Sequence, residues 1–308
     1  MNEKLHLHLS KLWIDDPMDV LREIRNIAIR VSGDFDTSFF TKVFKDTKQL
    51  FEGHYPGYRA SNTKYHDFNH TVSVTLATAR LIHGCTQNGQ AFQHGHIQMA
   101  LAAALFHDAG LIQESKDQEG SGAKYTIGHE ERSILFMRKY LTDANCSPED
   151  IENCSRFIRC TILHLPPKGI DFPTDEIRNL GFIVGSADLS AQLADRLYLE
   201  KLLLLYQEFE EARLPGFDTE LELLKKTKDF YKSIAKKRLI EDLGGVCLHM
   251  RSHFKQRYGV DKDLYYDSIE KNIKYLDSLV VLCANSIACY LENLRRGGIA
   301  KKITETLN

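Results

Sequence analysis

The sequence is short of nearly everything that would mark it for a membrane, a secretory route or a polyanion. Its 308 residues set 40 Lys and Arg against 42 Asp and Glu, a formal net charge of −2. No positive field therefore favours polymeric nucleic acid. Apolar runs are brief: in the last helical segment the longest, Leu279 to Ala284, is far below the ~20 residues that span a bilayer. Met1-Asn2-Glu3-Lys4-Leu5-His6 lacks the apolar core of a secretory leader, so a cytoplasmic protein with no membrane partner is expected. The seven cysteines are odd in number and scattered, with no Cys-x-x-Cys. Neither a disulfide framework nor a structural zinc site is expected, and a reducing compartment fits. Cys154 and Cys160 read as small buried apolar residues. Only seven prolines interrupt the chain. Strand-like alternation is missing, apolar spacing near 3.6 residues dominates, and the fold class is all-α.

What is present divides into N-terminal helices over 1–55, a core over 56–200 and a helical extension over 201–308, most simply as one structural domain. Asp16-Pro17 opens the first helix, which runs through Val20, Ile24 and Ile27-Ala28 toward Gly33. A second helix covers about 37–51, and a loop over 53–61 leads to a helix over 66–83. The next, over 97–106, ends on His107-Asp108. Residues 110–126 are polar and Gly-bearing, a mobile loop by composition, which suits either a lid over a bound substrate or a solvated connection. Long charged helices follow over 190–213 and 219–242, with a stop at Gly244-Gly245. In the last helix Ile269, Ile273, Leu276, Val280, Cys283, Ile287, Tyr290 and Leu294 alternate steps of four and three. That seam packs helix on helix, by default onto the chain's own core and alternatively as a homodimer through 269–294.

His107-Asp108 is the most informative pair. It closes the apolar stretch Ala102-Ala103-Ala104-Leu105-Phe106, where an ionised carboxylate is costly unless a cation or hydrogen bonds compensate it. A carboxylate can bridge two divalent ions while the neighbouring imidazole binds one. Alone, the pair reads as well as a helix ending in two polar residues before Gly110. Further candidates recur in order, however. Tyr65-His66-Asp67-Phe68-Asn69-His70 places two imidazoles four apart, on one face of a helix. His129 opens a helix, His164 closes another over 158–163 before Pro166-Pro167, and Asp188 sits among Val184, Gly185, Ser186, Ala187 and Leu189. The remaining histidines (His6, His8, His54, His83, His94, His96, His249 and His253) fall outside this ordered set and read as surface or core residues.

The succession His70, His107-Asp108, Asp188 resembles the signature of the HD superfamily of metal-dependent phosphohydrolases, whose fold is a helical bundle. The resemblance covers roughly residues 60–200. Tyr65-His66-Asp67-Phe68-Asn69-His70 is similar to the Tyr-His-Asn-x-x-His element of cyclic-nucleotide phosphodiesterases, which implies His66 as the acid that protonates the leaving oxygen and His70 as a metal ligand. His129 and His164 resemble the additional ligands of binuclear branches, including the HD-GYP phosphodiesterases. Leu111 stands where HD-GYP proteins carry Lys and where phosphodiesterases carry a second His, and Leu165-Pro166-Pro167-Lys168-Gly169 replaces the elements expected after His164. These departures argue against a cyclic dinucleotide.

The resemblance implies two divalent ions, of Mn, Fe, Zn, Ni or Mg, bridged by Asp108. His70, His107 and Asp188 would hold the first, and His129 and His164 would complete the second. Asp108 and His66 would then be the catalytic pair, with Asp67 or Glu130 orienting imidazoles. Arg59, Lys64 and Lys168 flank these segments as possible phosphate contacts or plain surface cations. The substrate implied is a small phosphate ester, foremost a phosphodiester or cyclic nucleotide. A nucleotidase or general phosphomonoesterase is the near alternative, and a non-catalytic metal- or nucleotide-binding sensor the distant one. A zinc peptidase, suggested by the echo of His-Glu-x-x-His in His66-Asp67-Phe68-Asn69-His70, leaves His107-Asp108 unexplained.

Overall fold

The computed structural model describes residues 12–307, and its secondary structure there is helical throughout, apart from one isolated bridge between Tyr58 and Glu114. The expected all-α class holds, with thirteen α-helices among the described residues. The first four are α1 (Pro17–Val31), α2 (Ser38–Phe51), α3 (Phe68–Gln87) and α4 (His94–Phe106). Then come α5 (His129–Asp143), α6 (Pro148–Arg159), α7 (Asp175–Ala194) and α8 (Tyr198–Glu211). The last five are α9 (Glu220–Phe230), α10 (Met250–Tyr258), α11 (Leu264–Cys283), α12 (Ile287–Asn293) and α13 (Ile299–Leu307). Among the described residues no helix is long and apolar enough to cross a membrane.

Side-chain caps start most of these helices. Asp16, Asp67, Ser147, Thr174, Thr219, Asp263 and Ser286 each accept a backbone N–H of the first turn, and Pro17 and Pro148 occupy positions where no N–H is needed. The centre of the molecule is α4, whose run from Ala100 to Phe106 is completely buried. A helix apolar on all sides must be surrounded, and α2, α3, α6 and α7 enclose it. α3 lies along α7 in the most extensive helix pairing of the fold. Close approach at the middle of α7 depends on Gly185, where an added Cβ would stand 2.4 Å from the Cys160 carbonyl oxygen.

Several local expectations are corrected. Asp67 caps α3, so His66 precedes the helix and does not share a helical face with His70. α6 ends at Arg159, and His164 lies in a turn beyond it rather than at the helix terminus. The helix expected over 190–213 is broken at Asp195–Leu197, where Asp195 takes the Leu197 N–H. That over 219–242 ends as an α-helix at Phe230 and continues through wide π turns at Tyr231–Ala235 and Arg238–Asp242.

The apolar seam over 269–294 is not one helix, because Ala284 turns to a positive φ of 46° between α11 and α12. Ile269, Ile273, Leu276, Cys283, Tyr290 and Leu294 are buried in the chain's own core. The same turn brings Cys283 and Cys289 into a disulfide, a pairing not expected from the scattered cysteines, while the other five are free. Residues 110–126 are tied down rather than loose. Arg59 donates to Gln113 and to the Asp117 carbonyl, Asn62 takes the Gly122 N–H, and Glu211 takes Ser121 through both N–H and hydroxyl.

Candidate metal centre

Four segments deliver side chains to one point. The first turn of α3 supplies His70, the end of α4 supplies His107 and Asp108, the start of α5 supplies His129, and the middle of α7 supplies Asp188. α5 is fastened to the turn after α4 by Ser133, whose hydroxyl donates to the His107 carbonyl at 2.6 Å and accepts the Gly110 N–H at 2.8 Å. Arg132 adds a bond to the Gly110 carbonyl. Gly110 itself has no room for a side chain, since a Cβ would lie 2.0 Å from the His129 carbonyl oxygen. This splice carries His129 to Asp108.

The ligand atoms converge. His107 Nε2 and His70 Nε2 stand 3.4 Å apart, and they lie 3.2 and 3.5 Å from Asp108 Oδ2. Asp188 Oδ1 approaches His70 Nε2 at 3.3 Å and His107 Nε2 at 3.6 Å. The other oxygen of Asp108 faces away from this group, with Oδ1 3.3 Å from His129 Nε2. Asp108 thus presents its two oxygens to two separate sets of imidazoles. Its Oδ2 is buried without a hydrogen-bond partner, a costly arrangement for a carboxylate unless something else meets it.

Two of the imidazoles are set for ligation by their backbone contacts. His107 Nδ1 donates to the Ala104 carbonyl and His129 Nδ1 to the Thr126 carbonyl, each at 2.8 Å. A carbonyl only accepts, so Nδ1 carries the proton and Nε2 of the neutral ring offers its lone pair to the centre. Burial alone would push the Asp108 carboxyl up, yet His107, His66 and His129 together hold it well below its ordinary range. Asp188 is likewise depressed against its burial by His107 and His70. The imidazoles answer in kind: burial disfavours their charge, but Asp108 raises His107 far above normal and lifts His129 to about 9. The centre therefore calls for positive charge, which either protons or metal ions can supply. Two imidazoles and two carboxylates around one point, with a third imidazole on the shared carboxylate, are a donor set suited to first-row divalent ions.

His66 stands beside this group, its ring 5.8 Å from that of His70 and 6.0 Å from that of His129. Nδ1 is 2.6 Å from Glu208 Oε2 on α8, and the other Glu208 oxygen accepts the Tyr65 N–H at 2.6 Å. Burial works against a charged His66, but Asp108 and then Glu208 raise its pKa. Glu208 is the residue that sequence reasoning missed; Asp67 and Glu130 were the carboxylates considered there. Asp67 serves as the cap of α3, bonded to the His70 N–H at 2.8 Å. Glu130 lies with Oε2 3.4 Å from His129 Nδ1. His164 is exposed at the mouth of the cavity that opens from the centre, and among the described residues no hydrogen bond or ion pair joins it to Asp108. Arg59 is spent on Gln113 and Asp117, Lys64 bonds Gln207, and Lys168 is exposed in the turn at Pro167–Gly169. The cavity has a volume of about 900 Å³ and is floored by His66, His70, Asp108, His129 and Asp188.

Compared with known proteins, the chain matches no protein-family model, and no curated protein resembles it significantly.

Proposed function

We propose that the protein is a metal-dependent phosphohydrolase of the HD type that cleaves a phosphate ester, foremost a phosphodiester or cyclic nucleotide. The observation that carries this reading is the pair of Asp108 oxygens facing separate imidazoles, His70 and His107 on one side and His129 on the other. A bridging carboxylate at the centre of His and Asp donors favours two ions rather than one. Divalent ions bound there supply the Lewis acidity that activates water and neutralises phosphoryl oxygens.

The chain's own residues then divide the labour. His70, His107, Asp108 and Asp188 would hold one ion and Asp108 with His129 the second, which His164, exposed in the cavity lining, would have to move to reach. Glu208 accepts the Nδ1 proton of His66 and stabilises the imidazolium, which leaves Nε2–H on the cavity side to protonate a departing alkoxide. An acid in that place matters most for an ester whose alcohol leaves poorly, which favours a phosphodiester of a sugar or alkyl alcohol.

The test is metal content followed by turnover. Purified protein, as isolated and after supplementation with Mn, Fe, Zn, Ni or Mg, is assayed on bis(4-nitrophenyl) phosphate, 4-nitrophenyl phosphate, cyclic nucleotides and nucleoside monophosphates. Hydrolysis that disappears in Asp108→Ala supports the proposal. A full metal complement with no hydrolysis of any ester would replace it with a sensor.

A further inference from the structure

The cavity extends well past the cluster, and its far side has a different chemistry. α8, α9 and the segment between them supply Leu205, Phe209, Phe217, Leu223 and Phe230 to that wall. Phe209 and Phe217 stack, with ring centroids 6.1 Å apart and planes inclined by 20°. The polar groups among them are already engaged. Buried Arg238 donates to the carbonyls of Cys160, Ile162 and Leu165. Lys226 pairs with Glu222, bonds the Gly216 carbonyl and lies over the Phe217 ring. The Thr227 hydroxyl bonds the Leu223 carbonyl. Other polar lining residues lie elsewhere: Gln192 is one helical turn beyond Asp188, Tyr198 at the start of α8 neighbours Tyr65, and Glu130 pairs with His129, all toward the cluster. Thr126 and Thr161 bond the Ala123 and Ile158 carbonyls, and Asp229 and Ser233 are exposed at the rim. A nucleobase edge and a ribose seated against the far wall would lose their water without gaining partners, and buried polar groups left unpaired cost affinity.

The mouth also carries exposed apolar side chains, beside His164, Asp229 and Ser233. Ile127, Leu163 and Ile234 line it while 69%, 41% and 48% exposed. Large apolar side chains held in water at the edge of a cavity mark a surface that receives apolar material.

We propose, on the basis of the phosphohydrolase reading above, that the substrate is an amphiphilic phosphate ester. Its charged group sits at the His-Asp cluster and its alkyl or aryl portion runs along the wall made by α8 and α9. Either a free long-chain phosphate or the same ester resident in a lipid surface carries this chemistry.

Calorimetric titration with n-alkylphosphonates, from ethyl to decyl, reads binding without turnover. It is run on the full-length protein as purified and again after manganese is added. Affinity is expected to rise by roughly fourfold per methylene over the first several carbons, the factor for burying a CH₂ group. Decylphosphonate should bind more tightly than AMP or cyclic AMP. Ile234→Asp at the exposed rim and Phe217→Asp in the loop should each weaken decylphosphonate by about tenfold or more, given the cost of a charge in an apolar site, with metal content and helical circular dichroism unchanged. Affinity independent of chain length, or a nucleotide that binds more tightly than decylphosphonate, overturns the proposal. Dodecyl phosphate below its micellar concentration, compared with the same ester in neutral phospholipid vesicles, identifies the source, and faster turnover of either supports the assignment. Chain-length-dependent binding with no hydrolysis of any ester keeps the amphiphile assignment and removes the hydrolase reading instead.

Discussion

With EDTA keeping divalent ions from the cluster, the buried imidazoles titrate, and the expected consequence is a melting temperature that falls as pH rises. His129 Nε2 lies 3.3 Å from Asp108 Oδ1, and although burial opposes its charge, its pKa is lifted from 6.5 to about 9. A group raised on folding contributes its stability in full below the unfolded value and loses it as pH climbs through the folded one. The window is therefore pH 6.5 to 9. The interval, 9 minus 6.5, corresponds to roughly 3–4 kcal/mol at ~1.4 kcal/mol per unit. The His129 side chain is only 14% exposed, so solvent screening removes little of this. At roughly 2 °C per kcal/mol for a chain of this size, the chelated protein should melt ~7 °C lower at the top of the window than at the bottom. His107, raised by the same carboxylate, acts in the same direction. Metal reverses the trend, because ligands must be deprotonated to bind and affinity grows with pH. Scanning calorimetry at both ends of the window, in EDTA and in excess manganese, reads the difference. A flat chelated profile, or two profiles that fall in parallel, would refute the reasoning.

Other perturbations test separate parts of the same centre. Asp108→Ala removes the carboxylate that both imidazole sets face, so metal per chain by mass spectrometry should drop to background while the protein stays helical; a full complement would rule out the bridging role. Glu208→Gln deprives His66 of its anionic partner, and the basic limb of the kcat/KM profile should move to lower pH. Esters with poor leaving groups should suffer far more than 4-nitrophenyl esters, whereas an unmoved limb would leave Glu208 with a purely structural part. Gly110→Ala sets a Cβ 2.0 Å from the His129 carbonyl oxygen and 2.6 Å from the Ser133 nitrogen. α5 must then shift off the His-Asp turn, with a melting point lower by several degrees and weaker metal binding. Wild-type values for both would mean that the turn relaxes without moving His129.

Much of this architecture was legible because the apolar pattern is regular where packing is dense. α1 and α2 begin within a residue of their sequence signals, and the Ala-rich stretch before His107 is the buried centre of the fold. The errors lie at polar helix ends, where one residue has two competing uses. A spacing of four suggested that His66 and His70 share a helix, but Asp67 between them does better as a cap, taking the His70 N–H. The same competition moved His164 off the end of α6. Arg238 donates to the carbonyls of Cys160, Ile162 and Leu165 in the turn after that helix, satisfying from a distance what continued helix would have satisfied locally. Such a bond spans more than seventy residues and leaves no local pattern to read.

Glu208 shows the limit most sharply. It lies 142 residues from His66, and its one local clue is a carboxylate that extends the buried stripe of Leu202 and Leu205 on α8. A buried acid needs a partner, yet that requirement does not say which. Glu200, about two turns earlier on the same helix, is equally buried and spends its oxygens on the Gly297 and Ile299 N–H groups at the start of α13. One acid closes a backbone turn while the other tunes an imidazole, and only their three-dimensional neighbours tell them apart. The same holds for the whole chain beyond residue 200, which offered little but an apolar seam and yet brings both the partner of His66 and the apolar wall to the cluster. On the proposed reading, the order of His and Asp residues would mark where a phosphate is attacked, and the C-terminal helices would govern what that phosphate is attached to. Specificity in such a protein should therefore change through α8 and α9 while the ligand set stays the same.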